Sequence, residues 1–115
     1  MNILGEPRAA AREAVASSSS RPAMAVLHDT ADVRQLVFRI APGQSVPPHR
    51  SGSTVLLTVL EGAGVLSGED AGVSVDHHCV TGDIVAYEPN ELHGMRAEGE
   101  TLLLLATITP RPGAR

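Results

Sequence analysis

A chain of 115 residues and 12.0 kDa, 43% hydrophobic and 19% charged, holds one domain of ordinary globular composition and excludes a two-domain arrangement. Thirteen acids against nine arginines, with no lysine, give a formal charge of −4. That balance lacks the basic footprint that neutralises phosphates, so nucleic acid is not an expected partner.

One Phe, one Tyr and no Trp leave the core to aliphatic side chains, while 11 Gly and 8 Pro supply many turns. Cys79 is the sole cysteine, so no intrachain disulfide forms, and a reducing cytoplasmic location is the simpler expectation. No apolar run approaches the roughly 20 residues of a membrane helix, the longest being Leu102-Leu103-Leu104-Leu105-Ala106, and no membrane partner is expected. The first residues lack the basic start and apolar stretch of a secretory signal.

In chain order, residues 8–16 carry high helix propensity but are too short to be helical alone, and they need a partner surface. The serine run 17–20 with Arg21-Pro22 reads as a hinge, so residues 1–21 are expected to be an arm or linker lying as a solvated tail. From residue 22 the pattern is one of strands and turns. Strands are predicted at 33–40, 54–60, 65–66, 73–75, 79–80, 84–87 and 101–108, separated by Pro42-Gly43, Gly62-Ala63-Gly64, Gly68 to Gly72, Asp76-His77-His78, Thr81-Gly82-Asp83 and Pro89-Asn90. Short strands recurring at this spacing without intervening helical patterns indicate an all-β barrel or sandwich of two antiparallel sheets over residues 22–110, followed by a tail at 111–115.

The informative stretches are Pro42-Gly43-Gln44-Ser45-Val46-Pro47-Pro48-His49-Arg50-Ser51 and Gly82-Asp83-Ile84-Val85-Ala86-Tyr87-Glu88-Pro89-Asn90-Glu91-Leu92-His93. Together they resemble the two signature motifs of the cupin family, over roughly residues 40 to 95. The resemblance implies a small single-domain cupin-like β-barrel of the double-stranded β-helix or jelly-roll type, and a homodimer. In many cupins these motifs hold a divalent transition metal through three His and one Glu. Here His49 falls on the first His and His93 on the last, while Ser51 occupies the second His position and Val55 the Glu position. Asn90 replaces the usual glycine, which is mild because Asn tolerates a left-handed turn, and Glu88 stands where a Pro is expected.

Strand alternation agrees: with His49 facing inward, Val55, Leu57 and Val59 share its face and Leu56, Thr58 and Leu60 take the other, where a partner would protect Leu56 and Leu60. Arg50 should point away from its neighbours. Two uses of the interior remain open. In one, a barrel binds a small, partly apolar molecule, with Val55 and Leu57 in the wall and His49, Ser51, His93 and Tyr87 as polar anchors. In the other, an isomerase- or dioxygenase-type enzyme holds Ni, Zn, Mn or Fe on His49 and His93, with Glu91 completing a two-His, one-carboxylate set. A structural subunit with a filled barrel is a third reading. His77 and His78 are expected at an exposed hairpin tip, and Cys79 as a buried small hydrophobe without catalytic chemistry.

Overall fold

The computed structural model describes residues 1–113; the last two residues of the expected tail at 111–115 lie outside the described residues. After one short helix, α1 (Pro7–Glu13), come nine strands: β1 (Ala23–Asp29), β2 (Arg34–Ile40), β3 (Ser45–His49), β4 (Thr54–Glu61), β5 (Ala63–Asp70), β6 (Val73–Val80), β7 (Ile84–Tyr87), β8 (His93–Ala97) and β9 (Leu102–Thr109). They form two antiparallel sheets, ordered β1-β2-β9-β4-β7 and β3-β8-β5-β6. No helix among the described residues is long and apolar enough to cross a membrane.

The inner faces of the two sheets enclose the core. Ile40, Leu57, Leu66, Leu102 and Leu104 are almost wholly buried in one cluster with Val55, Val59, Met95 and Ala106. On β4, the expected alternation holds: Val55, Leu57 and Val59 are inside and Leu56 is partly exposed. Central strand β9 is buried on both faces, because Leu103 on its outer side joins Val37 and Ala11 in a second, smaller cluster.

That second cluster is the partner surface α1 requires. Glu6 caps the helix, its carboxylate accepting the Ala9 N–H at 2.7 Å, and Pro7 occupies the first turn, where no N–H is needed. At the other end, the Arg39 guanidinium donates to the carbonyls of Ala11, Arg12 and Ala14 at 2.9, 2.7 and 2.9 Å, placing a cation on the negative helix end. Small Ala11, fully buried, lets the helix lie close on the sheet. The segment expected as a solvated tail is therefore docked, and Leu60, expected to need a partner subunit, packs against this cluster instead.

Four strand assignments change, β8 among them, since no expected strand covers residues 93–97. β1 and β3 carry no strand signal in the sequence, β1 for want of β-branched residues beyond Val26 and β3 because Pro47-Pro48 interrupts it. The two short strands expected at 73–75 and 79–80 are one, β6; His77 and His78 lie within it, exposed, pairing with Leu66 and Val65, and not at a hairpin tip. β6 is an edge strand exposed along most of its length, so it lacks the alternation that marks a strand half-buried in a core.

Because α1 seals an outer apolar face, Ala11→Asp should lower the thermal midpoint as far as deleting residues 1–20 does, since a carboxylate is not tolerated there and the helix will undock. Both proteins should still unfold cooperatively from a folded barrel. A midpoint unchanged in Ala11→Asp would show that the helix contributes nothing to stability.

Candidate functional site

The site begins with a defect in strand pairing. β3 pairs with β8 in the register Ser45 to Arg96 and Val46 to Met95, then slips so that His49 pairs with His93. An unbroken register would set Pro48 opposite His93, so β3 carries one extra residue. Pro47 and Pro48 have no N–H for the ladder, and they are tolerated because β3 is an edge strand. The extra residue reverses the alternation. Val46 and His49 consequently face the same interior, where regular pairing would send one of them outward.

Gly94 supplies the second local condition. A Cβ there would lie 3.0 Å from the Pro48 nitrogen and 3.1 Å from its Cα, so a side chain would push the bulged strand away by a few tenths of an ångström. The role of Gly94 is not evident from the motif; its one signal is a glycine directly after the second histidine. On the far side, Asn90 takes the left-handed conformation at φ 68°, as its replacement of glycine allows, and its N–H donates to the Ser51 carbonyl at 2.7 Å.

The two imidazoles meet edge to face, with ring centroids 4.1 Å apart and planes at 62°. His49 Nδ1 lies 3.0 Å from the Pro47 carbonyl and His93 Nδ1 lies 3.1 Å from the Glu91 carbonyl. A carbonyl only accepts, so each neutral ring carries its proton on Nδ1 and leaves a lone pair on Nε2. Burial lowers the pKa of His93, with the nearby His49 acting the same way and the Glu91 contacts opposing it. At 5% exposure His93 is deep in the fold, whereas His49 is exposed at the rim.

Arg50, next to His49, does point away from the interior. Its guanidinium pairs with Glu69 and donates to the Asn90 carbonyl at 2.8 Å, while Glu69 also accepts the Leu92 N–H at 3.0 Å. These hydrogen bonds hold the Glu69 pKa down. One ion pair thus ties the residue after His49 to the residue before His93, a connection no local pattern reveals.

Behind the imidazoles is a cavity of about 320 Å³. His49, Ser51, Val55, Leu57 and His93 all line it, so five of the residues expected to surround a ligand are brought together, along with Phe38, Ile108 and other aliphatic groups. Tyr87 is not in this wall. Its ring backs His93 at 5.3 Å between centroids and its hydroxyl donates to the Ser67 carbonyl at 2.9 Å, spanning the two sheets. Burial pushes the Tyr87 pKa up to about 12, so the hydroxyl keeps its proton and its role as a donor. The expected polar anchor is thus a structural strut.

Glu91 is likewise used elsewhere: its carboxylate accepts the Glu88 N–H at 3.0 Å, closing the turn before β8. No group of three His, Cys, Asp or Glu side chains with metal-site geometry exists among the described residues. The donor set fits poorly with the metal implied by many cupins. Two imidazole lone pairs face a valine where a carboxylate is needed and a neutral serine hydroxyl where a third imidazole is needed. Cys79 is 1% exposed with its pKa raised by burial, the protonated apolar thiol expected of it.

Two antiparallel sheets with paired histidines at the open end of their shared interior define a double-stranded β-helix protein. The Cupin domain model matches residues 36–108, and the chain belongs to the cupin family. An uncharacterised conserved protein with a double-stranded β-helix domain from Klebsiella pneumoniae is similar in structure at TM-score 0.77 and 24% identity, over 91% of this chain and 90% of that one. KdgF from Halomonas sp. superposes at TM-score 0.74 with 17% identity, over 86% and 88% of the two chains. An RmlC-like cupin from Desulfovibrio desulfuricans gives 0.69 with 27% identity, over 85% and 91%. No curated protein matches the chain in sequence.

The lowered pKa of His93 carries a consequence for stability. Between its folded pKa and the ordinary value of 6.5, the unfolded chain binds more protons than the folded one, so stability rises with pH there. The contribution is complete above about pH 6.5 and is lost as the pH falls through this window, while the lowered carboxylates Glu69 and Asp76 act at more acid pH. The thermal midpoint should fall between about pH 7.5 and about pH 5.5, and His93→Gln should flatten that slope. Equal slopes in the two proteins would place the titration elsewhere.

Proposed function

We propose that this cupin is a binding protein for a small, mainly apolar molecule bearing a hydrogen-bond donor such as a hydroxyl. The observation that carries the reading is the pairing of an aliphatic cavity of about 320 Å³ with two imidazoles whose Nδ1 atoms are engaged by backbone carbonyls. Apolar walls supply most of the affinity by removing ligand surface from water, and the few polar groups fix orientation. In their neutral tautomers both Nε2 atoms are acceptors, so the matching ligand group is a donor. An isomerase or dioxygenase reaction of the metal-dependent kind finds no support in this donor set.

The reading is tested with p-cresol and toluene, which differ by one hydroxyl, by following the imidazole resonances of the full chain. The cresol should bind about fivefold tighter, the effect of one hydrogen bond of about 1 kcal/mol, and His93→Phe should erase the difference. Binding of neither compound, or of both equally in the native protein, would overturn it.

The metal question has a separate test. Ser51→His with Val55→Glu would return a three-His, one-Glu set to the wall that already holds His49 and His93. Without metal, a carboxylate beside Leu57 and Ile108 should lower the thermal midpoint. With Ni or Zn at about 100 times its dissociation constant, binding should restore about 2.7 kcal/mol to this variant. The native protein should show no such rise; a comparable rise there would revive the metal enzyme.

A further inference from the structure

A second and larger cavity, of about 690 Å³, opens between the arm and the seam where β1 and β2 of one sheet face β3 of the other. Its wall includes Ser17, Ser20 and Arg21 of the arm, Ser45 of β3, and Phe38 and Val46. Phe38 and Val46 also line the inner cavity, so the two chambers adjoin at these side chains.

The charges around the two chambers are one-sided. The chain has thirteen acids, yet neither wall contains an Asp or Glu. Eight arginines lie among the described residues, and Arg8, Arg12, Arg34, Arg50, Arg96 and Arg111 pair with carboxylates while Arg39 holds the end of α1. Arg21 alone has neither an ion pair nor a hydrogen bond among the described residues. With acids in excess, that is not for want of partners. The arginine stands in a chamber whose other polar groups are three serine hydroxyls, all able to donate.

Building on the binding role argued above, we infer that the ligand is a bipartite anion. Its apolar end, with a hydroxyl, occupies the inner chamber, and a carboxylate or other anionic group at its far end lies in the outer chamber against Arg21. A guanidinium free of competing carboxylates favours an anion over a neutral or cationic group, and the serine hydroxyls complete its hydrogen bonds. The docked arm is then part of the binding site, since Ser17, Ser20 and Arg21 are held at the seam by the Arg39 anchor of α1 and by Gln44 Nε2, which donates to the Ser19 carbonyl at 2.9 Å.

The probes are 4-hydroxyphenyl-terminated carboxylic acids with linkers of two, four and six methylenes, each compared with its primary amide, titrated into the full chain. The best-fitting acid should bind at least about fivefold tighter than its amide (about 1 kcal/mol), with an advantage that shrinks as salt is added. Arg21→Gln should remove the advantage of the acid over the amide, weakening the acid several times more than the amide, and Arg21→Lys should recover part of the loss. Because Arg21 is exposed and has no partner among the described residues, neither variant threatens the fold. Acids and amides binding equally at every length, or an acid preference untouched by Arg21→Gln, would overturn the anionic end while leaving the inner chamber's role intact. Failure of acids, amides and p-cresol alike would overturn both.

Discussion

The close approach of β3 to β8 is the constraint on which the site depends. It requires an edge strand that can lose ladder hydrogen bonds at Pro47-Pro48, an extra residue that returns His49 to the inner face, and a bare Cα at Gly94 opposite Pro48. Any one of these missing would move His49 out of line with His93. The Arg50–Glu69 pair then binds the loop after β3 to the turn before β8, so the flanks of both histidines are fixed by one contact. An exposed ion pair contributes little to stability. Here its effect is on geometry, and Glu69, itself mostly shielded, is the member that holds backbone as well as side chain.

Inside this frame the replacement of two metal-binding residue types changes what the interior is suited to. A carboxylate at position 55 would have to be desolvated and would need a cation to offset that cost. Val55 removes the requirement and joins Leu57 and Ile108 as ordinary apolar wall. Burial lowers the His93 pKa and so disfavours the charged form of that ring. On the binding role proposed above, a ligand without a donor leaves the lone pair of buried His93 unsatisfied.

Much of this was legible in the residues, for reasons that can be stated. The β4 alternation is plain because one face of that strand is buried, so Val55 and Leu57 fall in the cavity wall where period-2 counting puts them. Asn90 announces its left-handed turn. Other features depend on contacts distant in sequence. β3 is hidden by its prolines, and β6 reads as a broken pair of strands because polar residues interrupt an edge exposed on both sides. Tyr87 looks available to a ligand until Ser67, twenty residues earlier, takes its hydroxyl. Glu91 looks like a third ligand until the turn it closes takes its carboxylate.

The arm shows the same principle at larger scale. Alanine-rich residues 8–16 show helix propensity but no apolar stripe, since small side chains carry little hydrophobic signal. Their value lies in closeness: Ala11 allows the helix axis near β2 and β9, and Arg39 reaches past it to three carbonyls at its end. That anchor also fixes where the chain goes next. Leaving the helix at Ala14, it runs along the seam between the sheets and enters β1 at Ala23, lining the outer chamber with Val15, three polar residues and Pro22 on the way. The helix that covers the outer apolar cluster thus also sets the position of Arg21 in the wall of the outer chamber, so undocking the helix would reshape that chamber.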